Sequence, residues 1–182
     1  PYNLSSAEAE MNALADLAAA GKIRSVGISN FNPARMRRAQ AALQKRGLSI
    51  ATNQMRYSLV DRTIERDGTL ETARELGITV TASTPLGSGL LTGRYHKNPE
   101  LLKSKSFYWR GTMRRKLEPS RPLIAALEEL AQKYHATPAQ VALNWVIWFN
   151  GDDVVTIPGA SSVKQASDNA GALRFRLTSD EL

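Results

Sequence analysis

Small, uncharged hydrogen-bonding residues gather at four places along the chain: Ser29-Asn30-Phe31, Asn53-Gln54, Ser83-Thr84-Pro85-Leu86-Gly87 and Pro158-Gly159-Ala160-Ser161-Ser162. Such groups hold amides and phosphates, and they offer no general acid and no nucleophile with a base beside it. Each cluster also has a plain structural meaning. Ser29 and Asn30 suit a helix cap as well as a ligand clamp. Gln54 can satisfy backbone groups at the end of an apolar run. Gly87, Ser88 and Gly89 can build a nest of backbone N–H groups for a pyrophosphate, or a simple turn. Ser161 and Ser162 at a helix start can hold a phosphate on free N–H groups, or merely cap the helix. Their joint placement after successive strands is what favours a ligand site.

Composition removes other chemistries. The 182 residues include no Cys, so there is no disulfide framework, thiolate metal site or cysteine nucleophile. The two His, His96 and His135, lie far apart and suggest no metal cluster; they read as a loop residue and a residue at a helix C-terminus. No apolar run approaches the roughly 20 residues of a membrane span and no signal-peptide pattern opens the chain, so a cytoplasmic protein is expected. The net charge of +7 favours anionic partners. Segment 103–116 carries Lys103, Lys105, Arg110, Arg114, Arg115 and Lys116 without an acid, around Phe107, Tyr108 and Trp109. Basic residues interleaved with aromatics suit single-stranded nucleic acid, but no nucleic-acid fold signature accompanies them. The segment therefore reads as a solvated loop, and neither nucleic acid nor membrane is expected as a partner.

The elements that must position the four clusters alternate. Ser5 with Glu8 forms a capping box for a helix with Met11, Leu14, Leu17 and Ala18 on one face and Gly21 at its end. A strand is expected at 23–28, then a helix capped by Asn32, started by Pro33, faced by Met36, Ala39 and Leu43, and stopped at Gly47. Strands follow at 49–54 and 78–82, with a helix carrying Leu70, Ala73 and Leu76 between them. Segment 83–120 shows little periodicity and reads, over 87–120, as a long functional loop. Ser120 opens a helix with Leu123, Leu127, Leu130 and Tyr134 inward, and Thr137-Pro138 opens another through Val141, Trp145 and Phe149. A fourth strand is expected at 153–157, then a helix capped by Ser161 or Ser162 with Val163, Ala166, Ala170 and Leu173 on its face. This alternation predicts an α/β protein with a parallel sheet, as an open sheet or part of an eight-stranded barrel. Pro1 is not an initiator Met and TSDEL opens a new helix just before Leu182, so the chain reads as a piece of something longer.

GKIRSVGISNF (21–31), NQMRYSLVDR (53–62), TPLGSGLLTGRY (84–95) and IPGASSVKQASDNAGAL (157–173) resemble, in order and spacing, the C-terminal half of aldo-keto reductases. The resemblance covers nearly the whole chain. It implies a (β/α)8 TIM-barrel type fold of which residues 1–182 supply about half, four parallel strands with helices. It also implies an NAD(P)H-dependent oxidoreductase that reduces aldehydes or ketones to alcohols. Ser29, Asn30 and Gln54 match positions that hydrogen-bond the nicotinamide carboxamide. Thr84, Pro85, Leu86, Gly87, Ser88 and Gly89 match the loop around the pyrophosphate. Gly159, Ala160, Ser161, Ser162 and Gln165 match the pocket for the adenosine 2′-phosphate, and Asp168 and Asn169 match adenine contacts.

Two departures stand out. Ser83, also a cofactor-side position, stands where the family usually has an aromatic residue on the nicotinamide ring. Gly159 and Gln165 stand where many members have Lys and Arg, which leaves Lys164 as the only nearby cation and rules out a bidentate Arg clamp at Gln165. NADP(H) is the cofactor the resemblance points to, with NAD(H) also open. The family's catalytic Tyr, Lys, His and Asp match nothing in this chain, so no catalytic residue is assigned and the chain by itself is expected to be inactive. The missing N-terminal half, or another chain, is then needed to complete the barrel around a small carbonyl substrate. The alternative is a non-catalytic nicotinamide-nucleotide-binding or regulatory module on a reductase-like scaffold.

Overall fold

The computed structural model describes residues 6–182. Their strands are β1 (Val26–Ser29), β2 (Ile50–Arg56), β3 (Thr79–Ser83) and β4 (Val154–Thr156). All neighbours are parallel, in the order β1-β2-β3-β4. Parallel neighbours need crossover helices, and the sequence supplies them with local start signals. Helix α1 (Ala7–Ala19) is capped by Ser6, whose hydroxyl accepts from Ala9 N; Ser5, expected in that role, lies outside the described residues. Helix α2 (Pro33–Gln44) starts on Asn32, which accepts from Arg35 N, and α3 is Thr69–Glu75. Further on come the single turn α4 (Arg94–Lys97), the long α5 (Phe107–Lys133), α6 (Pro138–Trp148) and α7 (Val163–Ala170). Thr137 and Gln140 close a reciprocal capping box on α6, and Ser162 caps α7.

The helices cover one face of the sheet. Val26, Ile28, Val80, Ala82 and Val154 pack there with Met36 and Leu43 of α2, Leu127 of α5, and Val141 and Trp145 of α6 in one core. Met36 and Leu43 are fully buried, a position that stabilises by about 1.5–3 kcal/mol for each such side chain. Because side chains alternate along a strand, the opposite face carries Gly27, Ser29 and Gln54, all exposed. It also carries Val155 and Ile157, which remain 48% and 45% exposed. Among the described residues, β1 pairs only with β2 and β4 only with β3.

Three expectations are corrected. The stretch 87–120 is not a loop: it holds two 3-10 segments (Gly87–Thr92 and Pro99–Ser104), α4 and the first half of α5. The basic segment is thus largely helical from Phe107 onward, and Ser120 sits inside α5. Its hydroxyl donates to Leu117 O and lies 2.9 Å from His96 Nε2, so His96 ties α4 to α5 rather than standing in a loop. In α1, Ala15 is buried with Met11, while Leu17 is exposed. In α7 nothing is buried, and Val163 and Leu173 are 88% and 63% exposed. The amphipathic stripe is real, but no described element covers it. Polar bonds hold this region instead: Gln140 Nε2 donates to Asp168 O, and Asn144 Nδ2 to the carbonyls of Ala172 and Phe175.

Candidate functional site

Three of the uncharged clusters begin at or just past the ends of β1, β3 and β4, while Asn53-Gln54 lies inside β2, which runs on to Arg56; the hydrogen-bond ladder extends past β1, β2 and β4. Asn30 N donates to Gln54 O at 2.9 Å, Tyr57 N to Ser83 O at 3.2 Å and Ile157 N to Ala82 O at 3.1 Å. Ser29 and Gln54 are register partners. The Ser29 hydroxyl leans on the Gln54 carbonyl at 3.4 Å, and Asn30 Nδ2 donates to Ser29 Oγ at 3.1 Å. These three residues form one exposed hydrogen-bonding group at the end of β1 and on β2. Asn30 and Thr84 both hold left-handed backbone, φ 58° and 57°. Strain of this kind at the exits of β1 and β3, on either side of β2, is the sort stored at ligand sites.

Asn53 positions this group and was not singled out beyond its place in the cluster. It is fully buried, and its carboxamide bonds both backbone groups of Phe31. Ser83 turns its hydroxyl to Met55 O at 3.0 Å and presents no flat surface.

A cleft of about 640 Å³ opens between the β3 and β4 exits, a size typical of small-molecule sites. Nine expected residues line it: Thr84, Pro85, Leu86, Ser88 and Gly89 on one side, Gly159, Gln165, Asp168 and Asn169 on the other. Ala160, Ser161 and Ser162 follow Gly159 in the chain but do not line it, and Gly87 faces a second cavity. Two alternatives that the sequence leaves open in the loops are decided by the geometry. Gly87 N and Gly89 N donate to Thr84 O and Leu86 O, so the glycine amides build a turn rather than an open nest. Lys164 Nζ pairs with Asp168 Oδ2 at 3.0 Å on the solvent side and does not line the cleft. Gln165 Oε1 accepts from Ser161 N and Ser161 Oγ at 2.7 and 2.9 Å, which braces the turn into α7.

Arg94, not among the expected site residues, is the only cationic residue lining the cleft among the described residues. Its Nη2 donates to Tyr95 Oη at 2.5 Å and the guanidinium lies 4.5 Å from that ring's centre. Gly89 makes this placement possible: a Cβ there would stand 2.9 Å from Arg94 Nη2. The signal was present in the sequence, a single Arg directly after the glycine-rich stretch.

No described Tyr hydroxyl bonds a Lys or His side chain. Tyr57 is fully buried, donates to Glu65 and accepts from Asn150; burial first, then Glu65, raises its pKa. Tyr95 accepts from Arg94, and Tyr134 donates to Glu181, a bond that raises the Tyr134 pKa. Among the described residues no group of three His, Asp or Glu is arranged to hold a metal ion, and no helix is long and apolar enough to cross a membrane.

The sequence pattern of the Aldo/keto reductase family matches residues 1–182, and the chain belongs to that family. It is 35% identical over 181 residues to aldo-keto reductase str7 of Strobilurus tenacellus, covering 96% of this chain and 51% of that protein. It is 36% identical over 161 residues to the chloroplastic pyridoxal reductase of Arabidopsis thaliana, covering 88% of this chain and 42% of that protein. Among solved structures, the thermostable aldo-keto reductase Tm1743, crystallised with the inhibitor epalrestat, superposes with a TM-score of 0.73 at 28% identity. That superposition covers all of this chain and 54% of the other. The chain spans about half the length of the curated relatives it matches. Its parallel α/β sheet is accordingly similar to about half of a TIM-barrel reductase.

Proposed function

We propose that this chain is the cofactor-binding half of an NAD(P)H-dependent reductase of aldehydes or ketones. The observation that supports the reading is the cleft between the β3 and β4 exit loops, lined by nine of the residues that the resemblance assigns to the cofactor. Ser29, Asn30 and Gln54 form a separate exposed hydrogen-bonding group on β1 and β2, the strands that precede the cleft's two strands in the sheet order. The residues fit a nicotinamide dinucleotide. A hydroxyl and two side-chain amides suit a carboxamide, and the room left at Gly89 lets one guanidinium stand where a pyrophosphate would pass.

In this reading Ser29, Asn30 and Gln54 hold the nicotinamide carboxamide and so choose which ring face meets the substrate. Thr84 to Gly89, with Arg94, hold the pyrophosphate. Gly159 to Ser162 and Gln165 face the 2′-phosphate, and Asp168 and Asn169 the adenine. When bound, the reduced dinucleotide supplies a hydride to the carbonyl carbon. Ser83 contributes no ring contact, so fixing the nicotinamide falls to Ser29, Asn30 and Gln54. NADP(H) is the proposed dinucleotide, with discrimination kept modest because Lys164 and Gln165 are engaged within α7 and its approach. The hydroxyls of Tyr57, Tyr95 and Tyr134 are engaged and no described Tyr bonds a Lys or His, so in this reading the proton for the alkoxide comes from a further βα unit.

The test is a titration of the chain with NADPH, followed by tryptophan fluorescence, and then an aldehyde-reduction assay. Saturable quenching without turnover by the isolated chain, and turnover once an upstream half is supplied, is the expected result. Absence of dinucleotide binding overturns the reading. Binding without turnover in the completed barrel favours the regulatory module instead.

A further inference from the structure

A second cavity, of about 280 Å³, shares Thr84 and Ser88 with the dinucleotide cleft. Its remaining walls come from the segment after β2 and from the first turns of α5. Since β2 and β4 lie on opposite sides of β3, the two cavities flank one exit loop.

Its surfaces are of two kinds. Trp109 forms a flat wall, held edge-on by Tyr95 with ring centres 5.7 Å apart, and the buried Met113 lies with it in the same small apolar cluster. Val60 closes the floor against Gly87, where a Cβ would stand 2.8 Å from Val60 Cγ2. The rim is charged. Arg56 Nε lies 3.5 Å from Asp61 Oδ2, and Lys116 forms no ion pair among the described residues. Two cations against one carboxylate leave one net positive charge. Arg56 is the register partner of Ser83 and lies two residues beyond Gln54, which places both on the open face of the sheet.

We propose that this cavity binds the far end of the carbonyl substrate, and that this end is a single flat ring carrying one carboxylate. The ring lies against Trp109 and the carboxylate meets Lys116 and Arg56. The assignment rests on the reductase reading given above. The volume sits at the lower end of small-molecule sites, enough for one ring. A single surplus charge matches a monoanion better than a phosphate dianion, and charge-assisted bonds are stronger than neutral ones.

The test titrates the full chain, without dinucleotide, with 4-formylbenzoate, its uncharged methyl ester and phenyl phosphate. Binding is read from the indole N–H resonances, with Trp109→Phe assigning the relevant one. The acid is expected to bind about tenfold more tightly than the ester and to move the Trp109 signal. Lys116→Met is expected to erase that preference and Lys116→Arg to keep it; Lys116 is exposed, so the fold is retained. Equal affinity for acid and ester, no shift with either, tighter binding of phenyl phosphate, or a preference that survives Lys116→Met overturns the proposal. A parallel NADPH titration separates the two readings. Lost dinucleotide binding with the acid preference intact counts against the reductase alone, and the reverse result counts against the cavity.

Discussion

The carboxamide of Asn53 brackets the backbone of Phe31, donating to its carbonyl at 2.9 Å and accepting its N–H at 3.4 Å. Its neighbour Gln54 points to the opposite face of the strand, so one amide fixes the turn and the next is left to meet a ligand. Asn53→Ala strands two buried backbone groups and is expected to cost about 2 kcal/mol or more. Urea unfolding measures that cost. The same variant should weaken dinucleotide binding, because the Ser29-Asn30 turn loses its anchor. A variant with unchanged midpoint and unchanged affinity would show the bracket to be idle.

Arg94 and Lys164 separate by position. Arg94→Ala removes the only cationic wall residue of the cleft among the described residues and should lower dinucleotide affinity about tenfold to a hundredfold. Lys164→Ala breaks an exposed ion pair and should change affinity less than threefold. Fluorescence titration at two salt concentrations reads both, with the salt dependence reduced in the Arg94 variant alone.

Gln165→Arg tests the direction of dinucleotide preference. An Arg offers two parallel donors to a 2′-phosphate, so the ratio of NADPH to NADH affinity should rise about tenfold. A ratio that stays flat would place the 2′-phosphate away from the start of α7.

Acid should loosen the last turn of the described chain before the core. Glu181 accepts from Lys133 Nζ and Tyr134 Oη, and these bonds, Lys133 first, pull its pKa down to about 2 from an ordinary 4.5. A carboxylate lowered on folding contributes stability above its unfolded value and loses it as pH falls through the folded one. The loss therefore runs from about pH 4.5 to about pH 2. Trp145 Nε1 donates to Leu182 O, so tryptophan fluorescence reports the release. Glu181→Gln should flatten that acid transition.

What was readable in the sequence was what is decided locally. Asn32 with Pro33, Thr137 with Gln140, and Ser162 each cap their helix through a bond spanning three residues. The four strands lie within a few residues of their expected places because β-branched runs and following turns mark them. Helix α5 was hidden by Pro119 and Pro122, which look like a boundary. Their missing N–H groups leave the carbonyls of Arg115 and Glu118 without helix donors, and both residues are exposed, where water serves them. The aim of Arg94 was hidden for another reason. It depends on the empty space over Gly89 and on the Tyr95 hydroxyl, and neither is visible from spacing. In α7 the stripe of Val163 and Leu173 was legible, but what covers it is a tertiary matter.

The outer strands of the sheet have a practical consequence at the bench. With β1 and β4 each bonded on one side only among the described residues, and Val155 and Ile157 beside that edge, the polypeptide offers a template for adding strands from any neighbour. Purified on its own, it should tolerate dilution better than concentration. Co-expression with a fragment that supplies the adjoining strands should raise its soluble yield more than any change of buffer.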